Sequence, residues 1–270
     1  MGSASRAWHY RRCNAFHELD QDDRSREQTM VSRAEKIAYS VAREIVTHVV
    51  DAKMSPGQVL VPESEMMDRY EVSRGSLREA LRILEVLGFV RLKPGPRGGP
   101  IVLTPDVRQF SAIATLYYQR IDATYRELLE VRQTLEAASA ALAAVRRSEA
   151  DADRVREHLE AARATELRDD RSFSTVGQGF HDLVSEIAGN RVLNLMTRSC
   201  TDVVASRTTH YLYPKGQRQT AVLEVHERIG NAIIQGDGKA AEAMMREHME
   251  DYSAEAMSQY GGLMKETVRW

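Results

Sequence analysis

The stretch VSRGSLREALRILEVLGFV (residues 72–90) decides the fold, because it combines a helix start, an amphipathic helix and a helix stop. Ser73 has the side chain of a helix N-cap, and Gly88 is typical of the position just after a helix end. Between them, spacing of four places Arg74, Arg78 and Arg82 near one helix face. The apolar residues fall on the other face: Leu77, Ala80, Leu81 and Leu84. The stretch predicts a helix with a buried side and an arginine-rich side, and for an arbitrary helix such a side would simply be solvated.

The flanking sequence predicts two further helices before this one and a β-hairpin after it. An apolar repeat of four runs from Ala34 to about Val50, and a Pro-Gly turn (residues 55–60) ends it. A short helix follows Pro62, with Met66, Met67 and Tyr70 facing inward. Two short strands, residues 89–93 and 100–104, flank a turn rich in proline and glycine. Three helices and a two-stranded wing make up a winged helix-turn-helix.

Charge is distributed unevenly along the chain. The 270 residues carry a formal net charge of -2, yet residues 72–108 hold seven basic and three acidic side chains. Bulk charge therefore does not favour nucleic acid, whereas this local excess is typical of a DNA-binding module.

The remainder of the chain is predicted to be helical, so the expected fold class is mainly α. Helical stretches are expected at 107–121, 124–147, 150–168, 171–188, 190–210, 216–235 and 238–260. The chain is therefore expected to have three parts: a disordered N-terminal arm (1–30), a winged helix-turn-helix domain (31–105) and an all-helical domain (106–262). No apolar run approaches the roughly 20 residues of a membrane span. The two cysteines form no CxxC pair, which fits a reducing cytoplasm.

The first domain resembles the DNA-binding domain of the GntR family of bacterial transcriptional regulators. The resemblance rests on residues 57–66, 72–90 and the PGPRGG turn (residues 94–99). It implies binding to double-stranded operator DNA, with Arg74 and Arg78 at guanine edges. The other implied DNA contacts are Ser73, Gly75 and Ser76 at the helix start and Gly95 and Arg97 in the wing. Members often carry Arg at the position of Ser64, so one contact is expected to be missing.

The second domain resembles the FCD effector domain of the FadR-type branch. The motifs are EVRQTLEAASAALAA (130–144), GFHDLVSEIAGN (179–190), VHERIGNAIIQGD (225–237) and AAEAMMREHM (240–249). The resemblance implies a divalent metal ion, Zn or Ni, held by His181, His226 and His248. The family's fourth ligand is an Asp four residues before the first histidine, a position that is Gly177 here. His158 and His210 fit no such pattern and are expected to be exposed.

The resemblance also assigns a small carboxylate effector to Arg132, with Glu136 beside it. A guanidinium suits a carboxylate because it forms a bidentate pair. The alternative for these two residues is an ordinary surface pair at i,i+4 spacing.

The leading functional hypothesis is an effector-responsive repressor that binds an inverted repeat as a homodimer, since one winged helix contacts only a half-site. A constitutive DNA-binding dimer with a degenerate effector site remains open because of Gly177. A metal-dependent enzyme is a further alternative, although the histidines are accompanied by neither HExxH nor a nucleophile elbow.

Overall fold

The computed structural model describes residues 33–95, 98–104, 106–164, 170–208 and 217–270. The chain divides into two compact units at residues 105 and 106. The predicted fold class is confirmed: a small winged helix-turn-helix unit is followed by an all-α unit. The expected arm at residues 1–30 lies outside the described residues.

The described part of the first unit shows three helices and a hairpin in the predicted order. Helix α1 spans Arg33–Asp51, α2 Glu63–Tyr70 and α3 Arg74–Val86, and strands β1 and β2 span Val90–Lys93 and Gly99–Val102. The hydroxyl of Ser73 accepts a hydrogen bond from the backbone N–H of Ser76 at 3.2 Å, which caps α3 as predicted.

Helix α3 ends in a Schellman motif. Gly88 has a φ of 75°, and its N–H donates to the carbonyl of Glu85 at 3.0 Å. The N–H of Phe89 donates to the carbonyl of Leu84 at 2.8 Å. Glycine at this position avoids the steric cost of a left-handed backbone, so the chain turns sharply from α3 into the wing.

The wing is an antiparallel pair in which Val90 faces Val102 and Lys93 faces Gly99. The carboxylate of Glu85 on α3 accepts a hydrogen bond from the N–H of Leu92 at 2.9 Å, which ties the wing to that helix. An isolated antiparallel bridge between Val59 and Ile101 adds a third segment beside β2. The sequence pattern did not predict this pairing. Its hydrogen bonds come from the segment that was expected to form only a turn.

Apolar residues of all three helices and both strands form the core of the first unit. The buried set comprises Ala38, Val41, Ala42, Ile45, Leu60, Met66, Leu77, Ala80, Leu81, Leu84, Val90 and Val102. The face of α3 that was predicted to be apolar is therefore the one that packs inward.

The described residues of the second unit form seven helices. They are α4 (Val107–Arg120), α5 (Tyr125–Arg146), α6 (Glu149–Ala164), α7 (Asp170–Ile187), α8 (Arg191–Thr208), α9 (Gln217–Gln235) and α10 (Gly238–Met264). Helix α5 runs through the middle and packs against α7, α8, α9 and α10. It begins with a capping box, in which Thr124 and Glu127 satisfy each other's backbone N–H groups.

The C-terminal residues pack against the start of α5. Met264 and Val268 are fully buried, and Thr267 forms a β-bridge with Thr124. The N–H of Val268 donates to the carbonyl of Ala123 at 2.8 Å. Packed structure therefore continues beyond residue 262 to the last residues of the chain. Among the helices of the described ranges, none has the length and apolar character that crossing a membrane requires.

Candidate DNA-binding surface and effector site

Helix α3 presents its arginines to solvent. Arg74, Arg78 and Arg82 are all exposed, as is Gly75 at the helix start. The hydroxyl of Ser73 is occupied by the helix cap and lies 3.1 Å from the hydroxyl of Ser76. The exposed basic face of α3 lies opposite its buried leucines, an arrangement suited to insertion into the major groove of DNA.

Arg78 has a partner outside its own helix. Its Nε donates to a carboxylate oxygen of Glu63 on α2 at 3.3 Å, and its side chain keeps 62% of its surface exposed. An ion pair this exposed is weak and exchanges readily for a contact with a nucleic-acid base or phosphate.

The wing adds further positive charge. Arg91 and Lys93 point to the same exposed side of β1, whose other side packs inward. Gly95 has a φ of 107°, and a Cβ built on it would meet no atom within 4 Å, so this turn leaves open space for a close approach. Arg97, the other wing residue predicted to touch DNA, lies outside the described residues.

In the second unit, three buried histidines from three helices converge. His181 lies on α7, His226 on α9 and His248 on α10. Nε2 of His248 lies 3.1 Å from Nε2 of His226 and 3.3 Å from Nε2 of His181. One candidate ligand atom from each histidine lies within 4.8 Å of the others.

The two short distances, from Nε2 of His248 to the other two histidines, fit a bound divalent ion. Zinc holds imidazole nitrogens at about 2.0–2.1 Å in tetrahedral geometry, which separates the nitrogens by roughly 3.3 Å. Burial lowers the pKa of His226 well below its ordinary value and that of His248 to about 3, so both imidazoles are neutral at pH 7. Neutral imidazoles are the form that binds a metal ion.

Glu136 completes the arrangement from α5. Its Oε2 lies 3.2 Å from Nδ1 of His181, and its Oε1 accepts from Nε of Arg132 at 3.2 Å. Nε2 of His181 is directed at the other histidines, while neither Nδ1 of His181 nor Oε2 of Glu136 makes a hydrogen bond within the described residues. A carboxylate in this position is common behind a metal-binding histidine.

The Arg132–Glu136 pair is buried, so the alternative of an ordinary surface pair does not hold. Arg132 is 4% exposed and Glu136 is 0% exposed. Burial by itself would raise the pKa of Glu136, but His181 and Arg132 outweigh it and bring the pKa to about 2. The carboxylate is therefore ionised at neutral pH. The guanidinium of Arg132 also lies over the ring of Tyr252, 5.2 Å from its centroid.

Gly177 faces this cluster. A Cβ built on Gly177 would lie 3.9 Å from Cε1 of His226, which is ordinary van der Waals contact. The position at which relatives are expected to carry an acid thus points at the histidines, and glycine leaves room there for another group.

The expected exposure of His158 is wrong, because this residue of α6 is half-buried beside the histidine cluster. Its Nε2 lies 3.2 Å from the carbonyl oxygen of Val176, and its ring packs 6.0 Å from that of Phe180. Gly179 makes the approach possible, since a Cβ there would lie only 3.1 Å from His158. His158 lies three residues after Val155, a fully buried residue of the same helix. This helical spacing could have predicted that His158 is partly buried. His210 lies outside the described residues.

Two other residues near the site were not found by sequence reasoning. Gln178 accepts from Arg132 at 3.5 Å and donates to Asp182 at 3.2 Å. Phe180 stacks on His226 with ring centroids 4.4 Å apart. Neither residue type signals a binding site by itself.

Comparison with known proteins agrees with both units. Residues 37–97 match the family described as "Bacterial regulatory proteins, gntR family", and residues 127–251 match the FCD domain. The HTH-type transcriptional regulator LutR of Bacillus subtilis is 30% identical over 207 residues, covering 74% of this chain and 92% of that protein. The Glc operon transcriptional activator of Escherichia coli is 28% identical over 222 residues, covering 79% and 86%.

A solved structure, Streptococcus agalactiae GntR, shares the fold with a TM-score of 0.62 at 19% identity, covering 81% of this chain and 98% of that one. A winged helix-turn-helix joined to an FCD bundle defines the class, a transcriptional regulator and not an enzyme. The chain belongs to the GntR family and carries an FCD domain.

Proposed function

We propose that this regulator binds an inverted-repeat operator as a homodimer, acts as a repressor in the cytoplasm, and changes its DNA affinity when a small carboxylate enters the FCD domain. Helix α3 would occupy the major groove, with Arg74 and Arg78 at guanine edges and Ser73, Gly75 and Ser76 near the phosphates. Gly95 and Arg97 would bring the wing to the minor groove. A dimer supplies two such helices, as a palindromic site requires.

The observation that carries the effector part of this proposal is the position of Glu136 between Arg132 and His181. Arg132 is a buried guanidinium suited to pairing with a carboxylate. The same Glu136 carboxylate lies 3.2 Å from Nδ1 of His181 in the candidate metal centre. An acid that draws Arg132 away from Glu136 would therefore alter the surroundings of His181 as well.

His181, His226 and His248 would hold a zinc or nickel ion. The ion would act as a Lewis acid and attract an anionic oxygen. Imidazole ligands would bring no negative charge to the ion, and Gly177 provides no carboxylate. The effector would supply that carboxylate, so metal and effector should each strengthen the binding of the other by the same factor.

Calorimetry and thermal melting of the full chain test this proposal at the site. Metal-stripped protein should melt at a higher temperature after one equivalent of Zn²⁺ is added, because the ion binds the folded state. His248→Ala should lose this response. His158→Ala should keep it, because that histidine lies outside the cluster.

The same measurement with a panel of short organic acids addresses the effector. Acids should bind zinc-loaded protein more tightly than metal-stripped protein, and Arg132→Gln should weaken them in both states. Equal binding with and without zinc would contradict the bridging role of the metal. No response to any acid would instead favour a constitutive DNA-binding dimer.

A further inference from the structure

The arginines on the exposed face of α3 differ in their surroundings. Nε of Arg78 donates to Oε2 of Glu63, in the first turn of α2, at 3.3 Å. Among the described residues, the side chains of Arg74 and Arg82 have no hydrogen bond and no ion pair. The pair of Arg78 and Glu63 is too exposed to contribute much to stability, so its position beside the DNA-facing side of α3 calls for a different explanation.

The contact with Glu63 engages Arg78 through one nitrogen only. A guanidinium carries five N–H donors on three nitrogens in one plane, and the two terminal nitrogens of Arg78 make no hydrogen bond within the described residues. Two such nitrogens match O6 and N7 of a guanine in a bidentate contact. Arg78 can therefore reach a guanine edge while its Nε still faces the carboxylate.

The charge of Glu63 changes which group of DNA is favourable beside Arg78. O6 and N7 of guanine are neutral acceptors, whereas a phosphate brings a negative charge close to the carboxylate. Two like unit charges about 5 Å apart in water repel enough to shift an equilibrium roughly fourfold. Phosphate contacts carry no sequence information. Glu63 therefore disfavours the contact that is independent of sequence and leaves the contact with a base.

We propose that Glu63 is a specificity-determining residue for DNA, because its carboxylate holds Arg78 for a neutral base edge and repels the phosphates that Arg78 would otherwise bind. This inference rests on the proposed contact of α3 with the major groove. Specificity is a difference between two affinities, so weaker binding to random DNA raises it as much as tighter binding to the operator does. Glu63 acts through Arg78 and is a positioning residue that itself touches no base.

The test is fluorescence anisotropy of the full chain with three kinds of duplex: one selected from a random library, variants of it in which each G·C pair is replaced in turn by A·T, and a scrambled one. Arg78→Ala identifies the position that Arg78 reads, because the penalty for replacement disappears there. Glu63→Gln should reduce the penalty at that same position. It should also lower the ratio of selected to scrambled affinity roughly 3- to 10-fold. Penalties at the positions read by Arg74 should keep their wild-type values.

Glu65→Gln is the matched control. Glu65 also lies in the first turn of α2 and is exposed, but it pairs with Arg69 of its own helix at 3.5 Å. The control removes the same negative charge, so it measures how far any such loss raises the affinity for all DNA. It should keep the wild-type ratio of selected to scrambled affinity. Both variants should melt at the wild-type temperature, because exposed ion pairs contribute little to stability.

Two further measurements separate a role through Arg78 from a general effect of charge. The double variant Glu63→Gln/Arg78→Ala should have the same ratio of affinities as Arg78→Ala alone, because Glu63 acts only through that arginine. The difference between wild type and Glu63→Gln should also shrink as the salt concentration rises, because salt screens the repulsion between carboxylate and phosphate.

The outcomes separate this inference from the function on which it rests. If Glu63→Gln keeps the full penalty at the position of Arg78, or has the same ratio of affinities as Glu65→Gln, the role of Glu63 is refuted and DNA binding by α3 stands. If Arg78→Ala leaves the penalty at every position unchanged, Arg78 reads no base. The proposed guanine contact of Arg78 is then refuted, and the role of Glu63 with it.

Discussion

At the residue scale, the carboxylate of Glu136 lies between Arg132 and His181, the two side chains on which the proposed effector site depends. Its folded-state pKa of about 2 is below the ordinary value of 4.5, because Arg132 and His181 stabilise the charge against burial. A group with a depressed pKa stabilises the folded state above its unfolded pKa, and that stability is lost as the pH falls from about 4.5 towards 2.

Glu136→Gln should lower the free energy of unfolding of metal-stripped protein by on the order of 3 kcal/mol at pH 7, because it leaves Arg132 buried without a counter-charge. The difference from wild type should shrink below pH 4.5. Urea unfolding at several pH values measures both effects. Glu130→Gln removes an exposed partner of Arg126 from the same helix and should cost less than about 0.5 kcal/mol. A pH-independent difference would show that the loss comes from packing and not from charge.

Gly177 allows a second test at this scale. Gly177→Asp should tighten zinc binding by about tenfold or more, because it adds a carboxylate ligand where a Cβ fits beside His226. It should also weaken the coupling between zinc and acid, because the new carboxylate competes with the effector for the same ion. Gly177→Asn is the matched control with the same shape and no charge. Titration of zinc with and without acid measures the coupling between the two ligands. An unchanged coupling in Gly177→Asp would show that the effector and the new carboxylate do not compete for the same position on the ion.

At the scale of elements, α3 is expected to carry sequence selectivity. Arg74→Ala and Arg78→Ala should each cost roughly 1–3 kcal/mol of discrimination between a selected duplex and a scrambled one. The fold should survive, since both side chains are exposed. Fluorescence anisotropy on duplexes enriched from a random library measures this. Arg82→Ala, one turn further along α3, should have little effect on selectivity. Full selectivity in Arg74→Ala would refute the role of α3 as the recognition helix.

The end of α3 is a separate element with its own prediction. Gly88→Ala should lower the free energy of unfolding by about 1 kcal/mol, because alanine is strained at a φ of 75°. Gly75→Ala, at an ordinary helical position where a Cβ would approach only the hydroxyl of Ser73 at 3.8 Å, should leave stability unchanged or raise it. Chemical denaturation of the two variants measures this difference in the free energy of unfolding. Equal stability of Gly88→Ala and wild type would argue against the Schellman turn.

The elements also show what could be predicted from the sequence. Helix α3, its cap, its stop and its buried face follow from local spacing, and the structure confirms them. The three histidines drew attention through resemblance, and the structure places them together, while their role as ligands stays a prediction. The bridge at Val59 and the burial of His158 depend on contacts between distant segments. Local periodicity carries no information about such contacts.

At the scale of the whole molecule, the proposed function requires a free energy of coupling between DNA binding by the first unit and effector binding by the second. An effector shifts DNA affinity only to the extent that it binds the DNA-competent and incompetent states differently. The same coupling makes DNA alter the affinity for the effector by an equal factor. Neither unit alone can show this property.

The most direct measurement is therefore the dissociation constant of the zinc-loaded full chain for its selected duplex, with and without a saturating acid whose binding calorimetry has established. The account predicts a change of several-fold or more, a matching change in acid affinity when the duplex is present, and loss of both in Arg132→Gln. Identical DNA affinity with the acid site full would contradict it, and the bundle would then serve only to hold a constitutive dimer together.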